Sequence, residues 1–254
     1  MPFIAARRFR RPILAEEPNL NEAILTVEDT HTFIGHHHIL QGLSFEARAD
    51  AVTVLIGRNG AGKSTALRTV MGLLPASQGT IIYNGQEIQN KKPYEIARMG
   101  IGFVPEDMGI FANLTVEENM RVAMLIEDEA TGQRLEQTLD MFRDLKNFWR
   151  AQAGILSGGQ KQMLAIARAI VNQTSLLLID EPSKGLAPII VDALIEAINQ
   201  IKMHSVVVLV EQNFYMASCV GDHFYILDDG MVVHDGNMVD LVDDDELKSR
   251  YLGI

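Results

Sequence analysis

The stretch Gly57-Arg58-Asn59-Gly60-Ala61-Gly62-Lys63-Ser64-Thr65 restricts what this chain can become more than any other. It satisfies G-x-x-x-x-G-K-[S/T] in the context that pattern needs. An apolar, β-branched run (Val52-Thr53-Val54-Leu55-Ile56) leads in, and a helix-like segment from Ser64 to Leu74 leads out. The residue types have a chemical reason. Gly57, Gly60 and Gly62 let the backbone turn until its N–H groups converge on a phosphate chain, and the following helix adds the positive end of its dipole. Lys63 offers a point charge to β- and γ-phosphates, and the Ser64 hydroxyl can ligate Mg2+. A glycine-rich turn without a ligand would need neither Lys nor Ser at those places.

Composition narrows the setting. A chain of 254 residues, 47% hydrophobic, can fill the core of one large domain or two small ones. A net charge of -11 argues against a nucleic-acid-binding surface, which usually carries a basic excess. One cysteine, Cys219, permits no internal disulfide and suits a reducing compartment. No apolar run approaches the roughly 18 residues of a spanning helix, so work at a membrane would require docking to spanning chains. Residues 1–22, with Arg7, Arg8, Arg10 and Arg11, read as an arm outside the fold, disordered or loosely packed. The arm lacks the continuous apolar stretch of a secretory signal. A solvated arm is the plainer reading, and contact with anionic lipid the sharper one.

Along the chain, two short strand patterns (Ile24–Val27 and Leu43–Glu46) are joined by a turn-rich segment. Within it, Phe33 is equally suited to stacking on a nucleotide base or to filling a core. His36-His37-His38 has no Cys or acidic partner at metal-ligand spacing and reads as an exposed polar turn. Thr80–Tyr83 alternates like a strand, and Asn84-Gly85 is a hairpin signal. Pro93–Met99 reads as a helix, Ile101–Val104 as a buried strand, and Pro105-Glu106-Asp107 as a break. Thr115-Val116-Glu117-Glu118 is a capping box that opens a helix, and a second helix is expected from Gly132 to Phe148. Residues 111–155 therefore form an all-helical insert. Its Met and Phe side chains pack on the main domain or, in part, meet a partner helix.

Leu156-Ser157-Gly158-Gly159-Gln160 then runs into an amphipathic helix with Ser157 near its N-cap, a second helix start suited to an anion. Shortly after, Leu176-Leu177-Leu178-Ile179-Asp180-Glu181 is a buried strand ending in two carboxylates. Asp180 can hold Mg2+, directly or through water, and Glu181 can polarise a water for attack on a γ-phosphate. A further strand covers Val206–Val210. Phe224–Leu227, Asp229-Gly230 and Met231–His234 read as a hairpin, and Asp243–Tyr251 as a short acidic helix.

Taken together, the phosphate loop 57–65, the signature 156–160 and the carboxylate-ending strand 176–181 resemble, in content and order, the nucleotide-binding subunit of ABC transporters. The resemblance covers about residues 24–254. It implies an α/β P-loop NTPase core with a mainly parallel sheet, an antiparallel β subdomain and an all-helical subdomain, spanning 23–254. It also implies two subunits paired head to tail, with ATP between one phosphate loop and the other subunit's signature. By position, residues 57–65 bind ATP, Lys63, Ser64 and Thr65 serve its phosphates and Mg2+, and Asp180 holds the metal. Within the nucleotide-binding signature Ser157, Gly158, Gly159 and Gln160, Ser157 and Gly159 reach the partner's γ-phosphate; Glu181 is the catalytic base, and Phe33 matches the aromatic that stacks on adenine, more often Tyr.

Three places depart from the common pattern. Glu106 stands where Gln usually reaches metal and water; it can still ligate Mg2+ but adds negative charge beside triphosphate. Gln212 stands where His contacts the γ-phosphate, and its amide donates without carrying charge. Ala187 stands where Asp is usual. Hydrolysis slower than at a fully consensus site, or dependent on a non-identical partner, is the expectation. The same departures, with Ile110–Asn119, Ser183–Pro188 and Val210–Asn213, resemble the branched-chain amino-acid importer branch. That branch implies two different ATPase subunits on a pair of permeases at the cytoplasmic face of the inner membrane, served by an external solute-binding protein. A urea or short-amide importer of the same branch and a soluble ABC ATPase without a membrane partner are the alternatives.

Overall fold

The computed structural model describes residues 23–254. The arm predicted for residues 1–22, with its four arginines, lies outside the described residues. Among the described residues ten strands form two sheets. β1 (Ala23–Ile34), β2 (His37–Arg48), β4 (Gln78–Tyr83) and β5 (Gln86–Glu87) make an antiparallel sheet in the order β2-β1-β4-β5. β3 (Val52–Ile56), β6 (Ile101–Val104), β7 (Leu176–Asp180), β8 (Val206–Glu211), β9 (His223–Asp228) and β10 (Met231–Asn237) make a second sheet, ordered β10-β9-β3-β8-β7-β6. Every pairing in it is parallel except β10 with β9.

The near-continuous apolar runs of β3, β7 and β8 are what a sheet covered on both faces requires. Alternate residues serve opposite cores. Val54, Ile56, Leu177, Ile179, Val207 and Leu209 pack on one side with α6 (Gly158–Ile170), α7 (Pro188–Ile201) and α8 (Phe214–Val220). Leu55, Leu176, Leu178, Val208 and Val210 pack on the other with α1 (Lys63–Val70), α2 (Pro93–Arg98) and the antiparallel sheet. Each face thus holds its register, since a slip of one residue would exchange the two sets.

The helical insert holds α3 (Val116–Ala123), α4 (Glu129–Met141), α5 (Arg143–Asn147) and a 3-10 turn, Ala153–Ile155. Thr115 caps α3 as the sequence predicts: its hydroxyl accepts from Glu118 N, and Glu118 accepts from Thr115 N. Val116 and Glu117 donate their N–H groups to Ala151 and Trp149, and Thr115 bridges Gln152, so both ends of the insert are tied together. Its Val116, Met120, Phe142 and Leu145 are buried in the core shared with α6. From α6, Arg168 donates to Gly109 O and lies 5.0 Å from the Phe111 ring centroid. After β10 come α9 (Met238–Asp243) and the short α10 (Asp245–Leu247). Among the described residues no helix is long and apolar enough to cross a membrane.

Several expectations needed correction. The helix after the phosphate loop ends at Val70 rather than Leu74, because Gly72 turns left-handed at φ 67°. The single helix expected from Gly132 to Phe148 begins earlier, at Glu129 under an Asp128 cap, and breaks at Phe142 (φ -109°, ψ 65°). The acidic C-terminal helix is present as Asp245–Leu247 continuing into a wider π-helical turn, Lys248–Leu252, and a separate short helix, Met238–Asp243, precedes it. β1 and β2 each run to 12 residues instead of four. The alternation that marks β1 fails after Val27 because the register shifts there, with Asp29 at φ 42°. Past that bulge the buried positions are Thr30 and Thr32, polar residues that periodicity does not flag. His37 and His38 belong to β2, leaving His36 in the turn.

Asn119 supplies the test of how the insert is joined. It is fully buried; its Oδ1 accepts from Phe111 N at 2.9 Å, and its Nδ2 donates to Phe111 O and Thr115 O at 2.9 Å. Asn119→Ala is expected to cost about 2–4 kcal/mol in urea unfolding, because several buried backbone groups lose their partner. A loss under about 0.5 kcal/mol would show that the 111–115 loop is held by other means.

Candidate functional site

β3 delivers the chain to Gly57, where the backbone runs against β9: a Cβ there would lie 2.2 Å from Leu227 O. The loop closes on Gly62, which caps α1 in a left-handed conformation (φ 99°, ψ 2°) open to glycine and costly for other residues. The first N–H groups of α1 have no intrahelical acceptor and are free for an anion. Lys63 is 4% exposed; its Nζ donates to Gly57 O (2.9 Å) and Arg58 O (3.0 Å) and lies 3.8 Å from Glu181 Oε1. Burial pulls the Lys63 ammonium below its ordinary pKa, while Glu181, Asp180 and Glu211 resist the shift.

β7 ends at Asp180, which is fully buried. Its Oδ1 accepts from Ser64 Oγ at 2.8 Å, and its Oδ2 has no partner. Burial pushes the Asp180 carboxyl up to about 6; the Ser64 hydrogen bond opposes the shift and the Glu181 charge adds to it. A hydroxyl oxygen beside a buried carboxylate with an unmet lone pair is the donor set a hard divalent cation takes. Among the described residues no group of three or more His, Cys, Asp and Glu could hold a metal by itself. A cation at Ser64 and Asp180 would therefore complete its shell from water and phosphate oxygens, as Mg2+ commonly does.

Glu181 leaves the strand at φ 46°, a conformation that costs a non-glycine residue about 1–3 kcal/mol and is held where surroundings enforce it. Its N–H donates to Val210 O at 2.9 Å. Its carboxylate accepts from Gln212 Nε2 and stands 3.8 Å from Lys63 and 3.6 Å from Lys184. Gln212 Nε2 also reaches Asn59 Oδ1, linking the loop after β8 to the phosphate loop. Behind it, buried Glu211 accepts the N–H groups of Ser183 (2.9 Å), Gln212 (2.9 Å) and Asn213 (3.0 Å), which fastens the turn after β7 to the end of β8. Burial raises the Glu211 pKa, and these donors hold it back.

An open cleft of about 340 Å³ lies over these groups. Asn59, Gly60, Gly62, Lys63, Ser64, Thr65, Glu106 and Glu181 line it, as do Ile34, Ile39 and Lys184. Other predicted residues stand elsewhere. The Arg58 guanidinium donates to Arg250 O at 3.2 Å and lines a separate cavity with Gln212 and Leu252. Ala61 is buried, its backbone N–H given to Arg58 O. Phe33 is 45% exposed and stacks on His38 at 4.2 Å, which removes the core-filling reading. Ser157 caps α6 in a capping box with Gln160; Ser157 and Gly158 are exposed, and Gly159 is buried against Ile190. None of residues 157–160 lines the cleft.

Sequence reasoning missed Lys184, whose Nζ is 2.6 Å from Glu106 Oε1. The available signal was a lysine three residues past Glu181, in a chain that also carries an unexpected acid at position 106. The Gln212–Asn59 link had no signal, since the partners are 153 residues apart.

Comparison with known proteins gives the family and the fold. Residues 40–184 match the family described as ABC transporter. The chain is 38% identical over 232 residues to the high-affinity branched-chain amino acid transport ATP-binding protein BraG of Pseudomonas aeruginosa, covering 91% of this chain and 100% of that protein. A solved ATP binding subunit of an ABC transporter is 30% identical with a TM-score of 0.75, covering 86% of this chain and 91% of that one. A nucleotide-free ATP-binding cassette from an ABC transporter shares the fold at 24% identity, with a TM-score of 0.79 and coverage of 89% and 97%.

Asp180→Asn should raise the stability of the nucleotide-free, Mg2+-free chain at neutral pH by about 1–3 kcal/mol, since it removes a buried charge and keeps an acceptor for Ser64. The sign follows from the raised folded pKa. The penalty is absent below the ordinary aspartate pKa, grows as pH rises through about 6, and vanishes in the variant. Equal urea midpoints for the two proteins at pH 7 would contradict it.

Proposed function

We propose that this chain, which belongs to the ABC transporter family, is the ATP-binding and ATP-hydrolysing subunit of an importer for branched-chain amino acids. The observation that carries the reading is the gathering of Lys63, Ser64, Glu181 and Glu106 at one cleft, with Asp180 buried directly behind Ser64, in a chain similar to BraG over that protein's whole length. ATP-binding subunits of this family generally pair with one another and with membrane permeases. The finer assignment is two permease subunits, a second and non-identical ATPase subunit, an external solute-binding protein, and a place at the cytoplasmic face of the inner membrane.

The mechanism assigns each group a task. The N–H groups at the start of α1, with Lys63 and Thr65, take up the β- and γ-phosphates. Ser64 and Asp180 would hold Mg2+, with Glu106 at the cleft wall; bound there, the cation neutralises charge on the triphosphate. Glu181 accepts the proton of the attacking water as its oxygen bonds to the γ-phosphorus and the bond to the ADP oxygen breaks. Gln212 holds the Glu181 carboxylate by its amide donor, where an imidazole could have shared a proton. Ser157, Gly158, Gly159 and Gln160 of a second subunit reach the γ-phosphate, which accords with their standing outside their own chain's cleft. Phe33 stacks on the base. Arg58 and Asn59 shape the loop, Asn59 through Gln212. Turnover by this chain alone is slow, because Glu106, Gln212 and Ala187 replace the groups that usually assist.

Glu181→Gln should retain ATP affinity, lower turnover by at least about 100-fold and shift the protein to a dimer in ATP, as read by gel filtration. Wild-type turnover in that variant would remove Glu181 from its role. Lys63→Ala should weaken ATP binding by 10-fold or more, on the order expected for losing a buried charge contact to phosphate. Unchanged affinity would count against the phosphate-loop assignment.

A further inference from the structure

Glu106 and Lys184 come from loops 78 residues apart in sequence and meet at the wall of the cleft. The Lys184 ammonium lies 2.6 Å from Glu106 Oε1 and 3.6 Å from Glu181 Oε2. Lys63 meets the other oxygen of Glu181 at 3.8 Å, so one lysine attends each side of that carboxylate. The stem of Lys184 is largely in solvent, at 62% exposure, yet its head is turned inward between two acids. A carboxylate at position 106 opposes an approaching triphosphate, whereas a neutral amide would not. Asp180 and Glu181 already supply two acidic groups at the same strand end. An anion is admitted to such a cleft only when the added charge is offset.

We infer that Lys184 is a positioning residue that offsets Glu106, making a cleft with a carboxylate at that place compatible with triphosphate binding, and that it braces Glu181 from the turn after β7. This rests on the cleft binding ATP, as proposed above. The contribution is conditional on Glu106. Removing Lys184 leaves two acids facing the phosphates, whereas removing Glu106 makes Lys184 dispensable for ATP binding, its contact with Glu181 remaining.

The test is a double-mutant cycle on the full chain. ATP affinity is read by displacement of a fluorescent ATP analogue, with Mg2+ and with chelator. Lys184→Met should weaken ATP binding roughly five-fold at low ionic strength. That loss should shrink toward two-fold in about 0.5 M salt, because the pair is exposed to screening. In a Glu106→Gln background the same substitution should change affinity by less than about two-fold. Lys184→Arg should restore most of the wild-type value. Should Lys184→Met fail to fold, Lys184→Gln carries the same comparison. An equal loss in both backgrounds would make Lys184 a direct phosphate contact or a fold element and overturn the inference; no loss in either would also overturn it. Lys63→Ala run in parallel separates the two levels. If it binds ATP normally, the phosphate-loop reading itself fails; if it loses binding while Lys184→Met is silent, only the role of Lys184 falls.

Discussion

Three neighbouring parallel strands that end level with one another hold the chemistry of this molecule in place. Ile56 of β3 stands beside Glu211 of β8, and Asp180 of β7 beside Val210. The phosphate loop, the Asp180–Glu181 pair and Gln212 therefore leave the sheet along one edge. Nothing local to any of them fixes that alignment. It is set by apolar packing on both faces, which specifies register strongly because each residue has a required side.

That edge concentrates charge where water is scarce, and each acid is handled differently. Glu211 is surrounded by three backbone N–H groups and serves as a structural staple between two loops. Asp180 has a single hydroxyl for one oxygen and nothing for the other, an incomplete solvation that an incoming cation can complete. Glu181 is held by Gln212 after β8, Lys63 at the start of α1 and Lys184 of its own turn. The contrast divides acids that maintain the fold from acids kept short of partners for use. A buried group left under-solvated lowers stability while it waits, a familiar exchange at functional sites.

Much of this was legible in the chain itself, and the reasons are specific. The phosphate loop and two of the β-hairpins carry residues whose backbone demands are unusual. Asn84-Gly85 and Asp229-Gly230 all take positive φ, as the sequence implied. The Thr115 and Ser157 caps are readable because capping is local to a few residues. What escaped is either a register irregularity or a distant pairing. The bulge at Asp29 disguised most of β1, and the break at Phe142 split a helix whose apolar periodicity looked unbroken. Lys184 was visible as a residue yet silent as a partner, since only the sheet brings the loop after β6 alongside the turn after β7. Arg58, inside the motif, turned out to face the C-terminal segment, because a pattern of types fixes the backbone path and leaves a variable position free to point outward.

Arg168 gives the molecule a mechanical linkage. Its helix begins at the exposed signature, while its guanidinium grips the loop that follows Glu106 by a carbonyl and an aromatic face. A tilt of that helix, from whatever touches Ser157, would drag the loop as a crank drags its rod. The Glu106–Lys184 contact ties the start of that loop to the turn after β7. Occupancy outside the subunit would thereby be felt inside it as tension on a single ion pair.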